Sequence, residues 1–107
     1  MKWILKILSV DPYKVTCVWN DNVIRVIDLE DFLKIKSKNP KDSYVQLINE
    51  KRFREVKCDG TTLYWEKGIT MKDVDGTLKP APLDIDPDVL FEMTLSDRKR
   101  KTKRTLV

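Results

Sequence analysis

Tyr13, Val15, Cys17 and Trp19 fall at alternate positions between two turn signals, Asp11-Pro12 and Asn20-Asp21-Asn22. Successive side chains of a strand point to opposite faces, so this spacing predicts a strand over 13–19 with one apolar face. Residues 3–10 form an earlier strand, broken where Pro12 lacks a donor and fixes φ. Asn and Asp tolerate positive φ, which makes 20–22 a turn and 23–27 a third strand. Taking Asp21-Asn22 as a two-residue turn places Trp19 opposite Ile24 and Cys17 opposite Val26, with both pairs on the core side.

Helical spacing follows directly. Asp28 is a cap for a helix whose Leu29, Phe32 and Leu33 share one face. Glu30 and Asp31 sit at its positive end, with Lys34 and Lys36 nearer the other. Asn39-Pro40 suits a second helical start, with Pro40 at the first helical position. Tyr44, Leu47 and Ile48 form the apolar face of that element. One further helical turn over 49–53 seats Phe53.

The second half returns to strands. Val56 and Cys58 point inward while Glu55 and Lys57 point outward. Asp59-Gly60 is the strongest two-residue hairpin signal in the chain and would set Val56 opposite Leu63, with Trp65 on the same face. Residues 69–71 extend toward a further turn at Asp75-Gly76. Pro80 and Pro82 confine their segment to a sheet edge or a surface crossing. Asp86-Pro87 opens a last helix that docks through Leu90, Phe91 and Met93. The expected fold is α+β: a small, mainly antiparallel sheet of about five strands with two or three helices on one face. Residues 1–95 form that single domain, and 96–107 are expected to be a mobile basic tail.

Charge is distributed unevenly. The chain carries 21 basic and 17 acidic side chains, a net +4. In residues 97–107, Arg98, Lys99, Arg100, Lys101, Lys103 and Arg104 stand against Asp97, giving that stretch +5 and leaving the other 96 residues at −1. No apolar run approaches the ~18–20 residues of a membrane span. Residues 3–8 are interrupted by Lys6 and lack a small-residue cleavage site, so a signal peptide is not expected and the expected location is cytoplasmic.

Catalytic constellations fail for lack of parts. The chain has no histidine, which removes Ser-His-Asp and Cys-His arrangements and every His-bearing zinc site. Cys17 and Cys58 suit buried thiols; a bridge between them would need adjacent strands and an oxidising compartment. The three glycines, Gly60, Gly68 and Gly76, lie scattered at turns and build no phosphate loop. Asp73-Val74-Asp75-Gly76 resembles part of a calcium loop, but Met71 and Pro82 occupy the two end-ligand positions, so an EF-hand is rejected. Asp75, Asp86 and Asp88 fit turn and helix-cap roles. A looser carboxylate site at Asp84, Asp86 and Asp88 stays open, and no cofactor is expected.

Two surfaces remain as candidates. Trp19 and Trp65 point inward, whereas Tyr64 points outward beside Glu66 and Lys67. With Lys79, Pro80, Pro82 and Asp84 it outlines a candidate partner surface. Arg98, Lys99, Arg100, Lys101, Lys103 and Arg104 have the charge density of a nucleic-acid or acidic-partner contact. They lack interleaved aromatics and any helix-turn-helix pattern, so base-specific reading is not supported.

One run of residues carries a family likeness: Tyr13-x-Val15, Trp19, Asp21, Asp28-Leu29, Phe32-Leu33, Tyr44, Leu47, Phe53, Val56, Asp59-Gly60, Leu63-x-Trp65, Asp84 and Pro87-Asp88-x-Leu90-Phe91-Glu92. Over residues 3–93 the chain resembles the bacterial domain of unknown function 2442, most specifically at its close. It departs from compact members by a longer stretch between Trp65 and Asp84, and its basic tail lies outside the shared pattern. The resemblance implies a small α+β domain without an established activity, encoded beside another small protein, with some members described as candidate antitoxins. It supplies no catalytic or binding residues. The expected function is a non-enzymatic protein-binding module, an antitoxin-like half of a two-protein pair. The alternative is a nucleic-acid-binding accessory protein acting through the tail.

Overall fold

The alternation at 13–19 builds the middle of a three-stranded antiparallel sheet. In the computed structural model, which describes residues 1–94, β1 (Ile4–Asp11), β2 (Lys14–Trp19) and β3 (Ile24–Asp28) lie side by side in that order. Val15, Cys17 and Trp19 are fully buried, as their spacing predicts. Tyr13 packs edge-on to Phe53 with ring centroids 5.3 Å apart.

The register of β2 against β3 differs from expectation by one residue. Cys17 faces Arg25 and Val18 faces Ile24. The loop uses three residues, not two: the Asn22 N–H donates to the Trp19 carbonyl at 2.9 Å, and the Trp19 N–H to the Val23 carbonyl at 3.0 Å. Asn22 takes the left-handed conformation (φ 63°), the third position of a common three-residue hairpin loop. Because side chains alternate, one extra loop residue exchanges the two faces of β3. Arg25 and Ile27 turn inward, and Ile24 is left 60% exposed. In β1, pairing shifts between Ile4 and Lys6 and again between Ile7 and Ser9, so Leu5 and Leu8 are extra residues at two bulges.

Helix α1 spans Glu30–Lys36, and the Asp28 carboxylate accepts the Glu30 N–H at 3.0 Å. Leu29 and Leu33 are buried, and Phe32 meets Tyr44 edge-on at 5.2 Å. Asn39-Pro40 starts no helix; the Asn39 side chain instead closes a turn onto the Lys41 N–H. The next element is a 3₁₀ segment, Ser43–Ile48, capped by Asp42 accepting from Tyr44 N–H at 2.9 Å. It ends after six residues because Asn49 must be extended to cap α2 (Glu50–Phe53), a length that suits a 3₁₀ connector. Phe53 is seated in the core as expected.

β4 (Lys57–Cys58), β5 (Leu63–Lys72) and β6 (Leu78–Asp84) make a second antiparallel sheet. Here too the turn is longer than predicted: Cys58, not Val56, faces Leu63. The Asp59 carboxylate accepts the N–H groups of both Thr61 and Thr62 at 2.9 Å. The buried Thr62 hydroxyl donates to the Ile85 carbonyl. These bonds hold 59–62 as a four-residue loop, closed by one backbone bond from the Asp59 N–H to the Thr62 carbonyl at 3.3 Å. β1 meets that loop and the end of β4 without joining their ladder: the Ile4 N–H donates to the Thr61 carbonyl at 2.9 Å, and the Cys58 thiol donates to the Ile4 carbonyl at 3.5 Å. The described residues therefore form two three-stranded sheets and not one sheet of about five strands.

The β5–β6 turn repeats the construction of the first hairpin. Asp73 N–H reaches the Thr77 carbonyl at 2.8 Å, Gly76 N–H reaches the Asp73 carbonyl at 2.9 Å, and Gly76 has φ 87°. Pro80 and Pro82 lie in β6, at the sheet edge. A helix, α3, begins at residue 87 and is described to residue 94. The Asp86 carboxylate accepts the Asp88 N–H at 2.8 Å, and Leu90 is fully buried. One core joins Val15, Cys17 and Trp19 of the first sheet, Leu63, Trp65 and Leu83 of the second, and Leu33, Leu47, Phe53 and Leu90 of the helical elements. The Trp65 indole N–H ties β5 to α2 by donating to the Phe53 carbonyl at 3.1 Å. The expected domain boundary after residue 95 and the tail beyond it lie outside the described residues.

Gly68 marks where β5 crosses the core wall. Pairing with β6 slips between Trp65 and Ile69, and a Cβ on Gly68 would lie 2.3 Å from the Leu83 Cβ. Leu83 is only 5% exposed and cannot step aside freely. Gly68→Ala is expected to destabilise the fold by about 1–3 kcal/mol through overpacking, read from the urea unfolding midpoint. An unchanged midpoint would show that the β5–β6 contact is looser than described.

Candidate functional site

The outer face of the second sheet gathers part of the expected partner surface. Leu63 and Trp65 point into the core, so Tyr64 and Glu66 point out. Tyr64, Glu66 and Lys67 of β5 and Pro80, Ala81 and Pro82 of β6 line a shallow cleft of about 290 Å³. Lys67 has φ 55° where the pairing slips, next to Gly68. Asp84 pairs with Tyr64 at the far end of the strand, and its carbonyl accepts the Tyr44 hydroxyl at 2.6 Å. Lys79 is not part of this surface. Strand alternation turns it away from Pro80 and Pro82, and it pairs with Asp73 at 2.8 Å.

A wider polar groove of about 630 Å³ adjoins the cleft and shares Glu66 and Lys67 with it. Arg52 is fixed there by three acceptors: Gln46 Oε1 at 3.0 Å, Glu55 Oε1 at 2.8 Å and the Glu66 carbonyl at 2.7 Å. Lys57 binds Glu66 at 2.8 Å, which raises the lysine's pKa and lowers the carboxylate's. Most charges in this groove are thus already matched within the protein. Lys67 makes no salt bridge among the described residues, and its charge acts at longer range on the Glu66 carboxylate.

The remaining candidates disperse. Asp75 accepts from the Thr77 N–H and hydroxyl, Asp73 holds Lys79, and Asp86 caps α3. Among the described residues no group of three His, Cys, Asp or Glu side chains is placed to hold a metal ion. Both thiols are free, and burial pushes the Cys17 thiol up to about 12, with Cys58 adding to the rise. Trp19 and Trp65 are fully buried and offer no stacking platform. No helix among the described residues is long and apolar enough to cross a membrane. Arg98, Lys99, Arg100, Lys101, Lys103 and Arg104 lie outside the described residues.

Arg25 was not anticipated from the sequence. The three-residue loop turns it to the core side of β3, where its guanidinium lies 5.9 Å from the Trp19 ring centroid and 5.2 Å from that of Phe91. Asp21 grips it with two bonds, at 3.0 and 2.7 Å, and Lys2 joins Asp21 at 3.0 Å. The signal was the Asp21-x-x-x-Arg25 spacing across a turn, legible only once the loop length is known. Trp19 Nε1 and Arg25 Nε are buried without an acceptor among the described residues.

No family model, no curated protein and no solved structure matches the chain. The likeness drawn above rests on the residues quoted for it.

The bond from Arg25, followed by that from Lys2, holds the Asp21 carboxyl well below the usual carboxylate range. A depressed folded-state pKa gives stability that is fully present above the unfolded value of about 3.9 and is lost as pH falls through the folded value. Wild type is therefore expected to be more stable than Asp21→Asn at neutral pH. The gap should narrow as pH falls from about 5 to about 2. Urea unfolding at several pH values measures it; a gap independent of pH would mean that the carboxylate charge is not what Arg25 requires.

Proposed function

We propose that this protein is a non-enzymatic binding module that takes a second protein at the Tyr64–Pro80–Pro82 cleft, as the antitoxin-like half of a two-protein pair. The observation that carries the reading is that cleft. An outward tyrosine shares the cleft with two prolines of an edge strand and with Lys67. Tyrosine is enriched at protein interfaces because it offers a rigid apolar ring with a polar tip. Proline in β6 removes donors from the edge, so a partner must read side chains and not extend the ladder. The likeness to a family encoded beside a second small protein points to the same kind of partner.

The test is titration of the protein with the product of the adjacent gene in a calorimeter. A complex is expected, and Tyr64→Ala is expected to weaken it by at least about tenfold, the loss typical of an interface anchor. Absence of a complex, or equal affinity for the Tyr64→Ala variant, would sink the proposal.

A second reading, nucleic-acid binding through the tail, is favoured by the charge partition of the sequence, +5 in residues 97–107 against −1 elsewhere. Duplex binding would then fall with salt at a log–log slope of up to about −5 for six phosphate contacts. Replacing the six basic residues by Gln should abolish the binding, and retained affinity would exclude the tail as its source.

A further inference from the structure

The outer face of the first sheet sets apolar side chains, exposed at Leu5, Leu8 and Ile24 and half-buried at Val18 and Val26, between charged ends. The register sets three outward rows: Lys6–Val18–Ile24, then Ser9–Thr16–Val26, then Asp11–Lys14–Asp28. Leu5 and Leu8, the extra residues of the two bulges, stand exposed beside them at 43% and 47%. None of these side chains belongs to the buried core. A sheet face carrying Leu5, Leu8, Val18, Ile24 and Val26 is costly to leave in water, and such faces are covered by another layer.

Charge identifies the layer. One end of the face bears the cation Lys6, and the other bears Asp11 with Lys14 and Asp28. Neither Lys6 nor Asp11 has an ion-pair partner among the described residues. Turning one sheet over a second about an axis that crosses the strands at the Ser9–Thr16–Val26 row lays β1 on β1 with its direction reversed. Each Lys6 then meets the other copy's Asp11, twice by symmetry, the Lys14 stem covers Val18, and Asp28 comes over Ile24 at the β3 edge. Stacked sheets lie about 10 Å apart, within reach of a lysine and an aspartate together. A two-fold contact must be self-complementary, and along β1 and β2 this face is.

We propose that two copies of this chain pack face to face through the outer face of the first sheet, paired by reciprocal Lys6–Asp11 contacts. The interface is separate from the Tyr64 cleft, so the dimer and the partner complex can each fail without the other.

Sedimentation equilibrium of the full chain at low salt, up to about 1 mM, tests the proposal. A concentration-dependent dimer is expected. Ile24→Lys should abolish it while leaving the unfolding midpoint unchanged, since Ile24 is 60% exposed. Lys6→Asp and Asp11→Lys should each weaken the dimer at least about tenfold by setting like charges together, and the double variant should recover it. Tyr64→Ala should leave it unchanged. A monomer at every concentration would overturn the proposal. So would a dimer that the double charge reversal fails to restore, or one that Ile24→Lys leaves intact.

Discussion

The placement of Arg25 on the core side of β3 decides most of what this protein shows to its surroundings. A guanidinium turned toward a core is tolerated only when its charge is answered. Asp21 answers it with two hydrogen bonds from the adjoining turn, and Trp19 and Phe91 answer it with their ring faces. The same contacts connect three parts of the chain, because Trp19 ends β2, Arg25 lies in β3 and Phe91 belongs to α3. With Arg25 inward, alternation leaves no choice for its neighbours. Ile24 and Val26 must face out, and the first sheet acquires an apolar outer surface.

A second polar residue plays the corresponding part in the other half. Asp59 draws two backbone N–H groups to one carboxylate and so fixes a four-residue loop where the dipeptide favours a two-residue turn. The loop sets Leu63 against Cys58, presents the Thr61 carbonyl to Ile4 and sends the Thr62 hydroxyl to Ile85. Strand β1 thus meets the second sheet at this loop and at Cys58 without pairing into it, and the described residues form two small sheets around one core. In both halves a turn carboxylate, not hydrophobic pattern alone, settles which strand positions pair.

This explains what was legible in the sequence and what was not. Alternation gave the inward positions of Val15, Cys17, Trp19, Leu63 and Trp65, because period two survives any choice of partner strand. Turn and cap chemistry gave Asp75, Asp86 and the helix that seats Phe53, because those bonds are local. Register was not legible in either hairpin. Asp21-Asn22 and Asp59-Gly60 each allow more than one loop length. The bonds that select among them involve Arg25 in one case and Thr61 with Thr62 in the other. The face of Arg25, and with it the exposure of Ile24, follows from that selection. Tyr64, Pro80 and Pro82 line one cleft, a placement legible because an outward tyrosine and an edge strand of prolines follow from alternation and proline chemistry. Lys79 was grouped with them by proximity in sequence, which alternation along β6 undoes.

The two sheets therefore offer partners different chemistry. The second ends in a strand whose prolines cannot donate, so its edge resists further pairing and its cleft presents Tyr64, Pro80 and Pro82. The first has no proline on its outer rows and offers branched apolar side chains with opposite charges at its two ends. A surface of that kind favours a partner that is flat, apolar and oppositely polarised along the strand direction. In the dimer proposed above, a second copy of the same sheet, reversed, answers Lys6 with Asp11 and Val18 with the Lys14 stem. The register that turns Arg25 inward is thus also what makes the outer face self-complementary. A two-residue turn would have placed Ile24 and Val26 in the core and turned Arg25 and Ile27 outward.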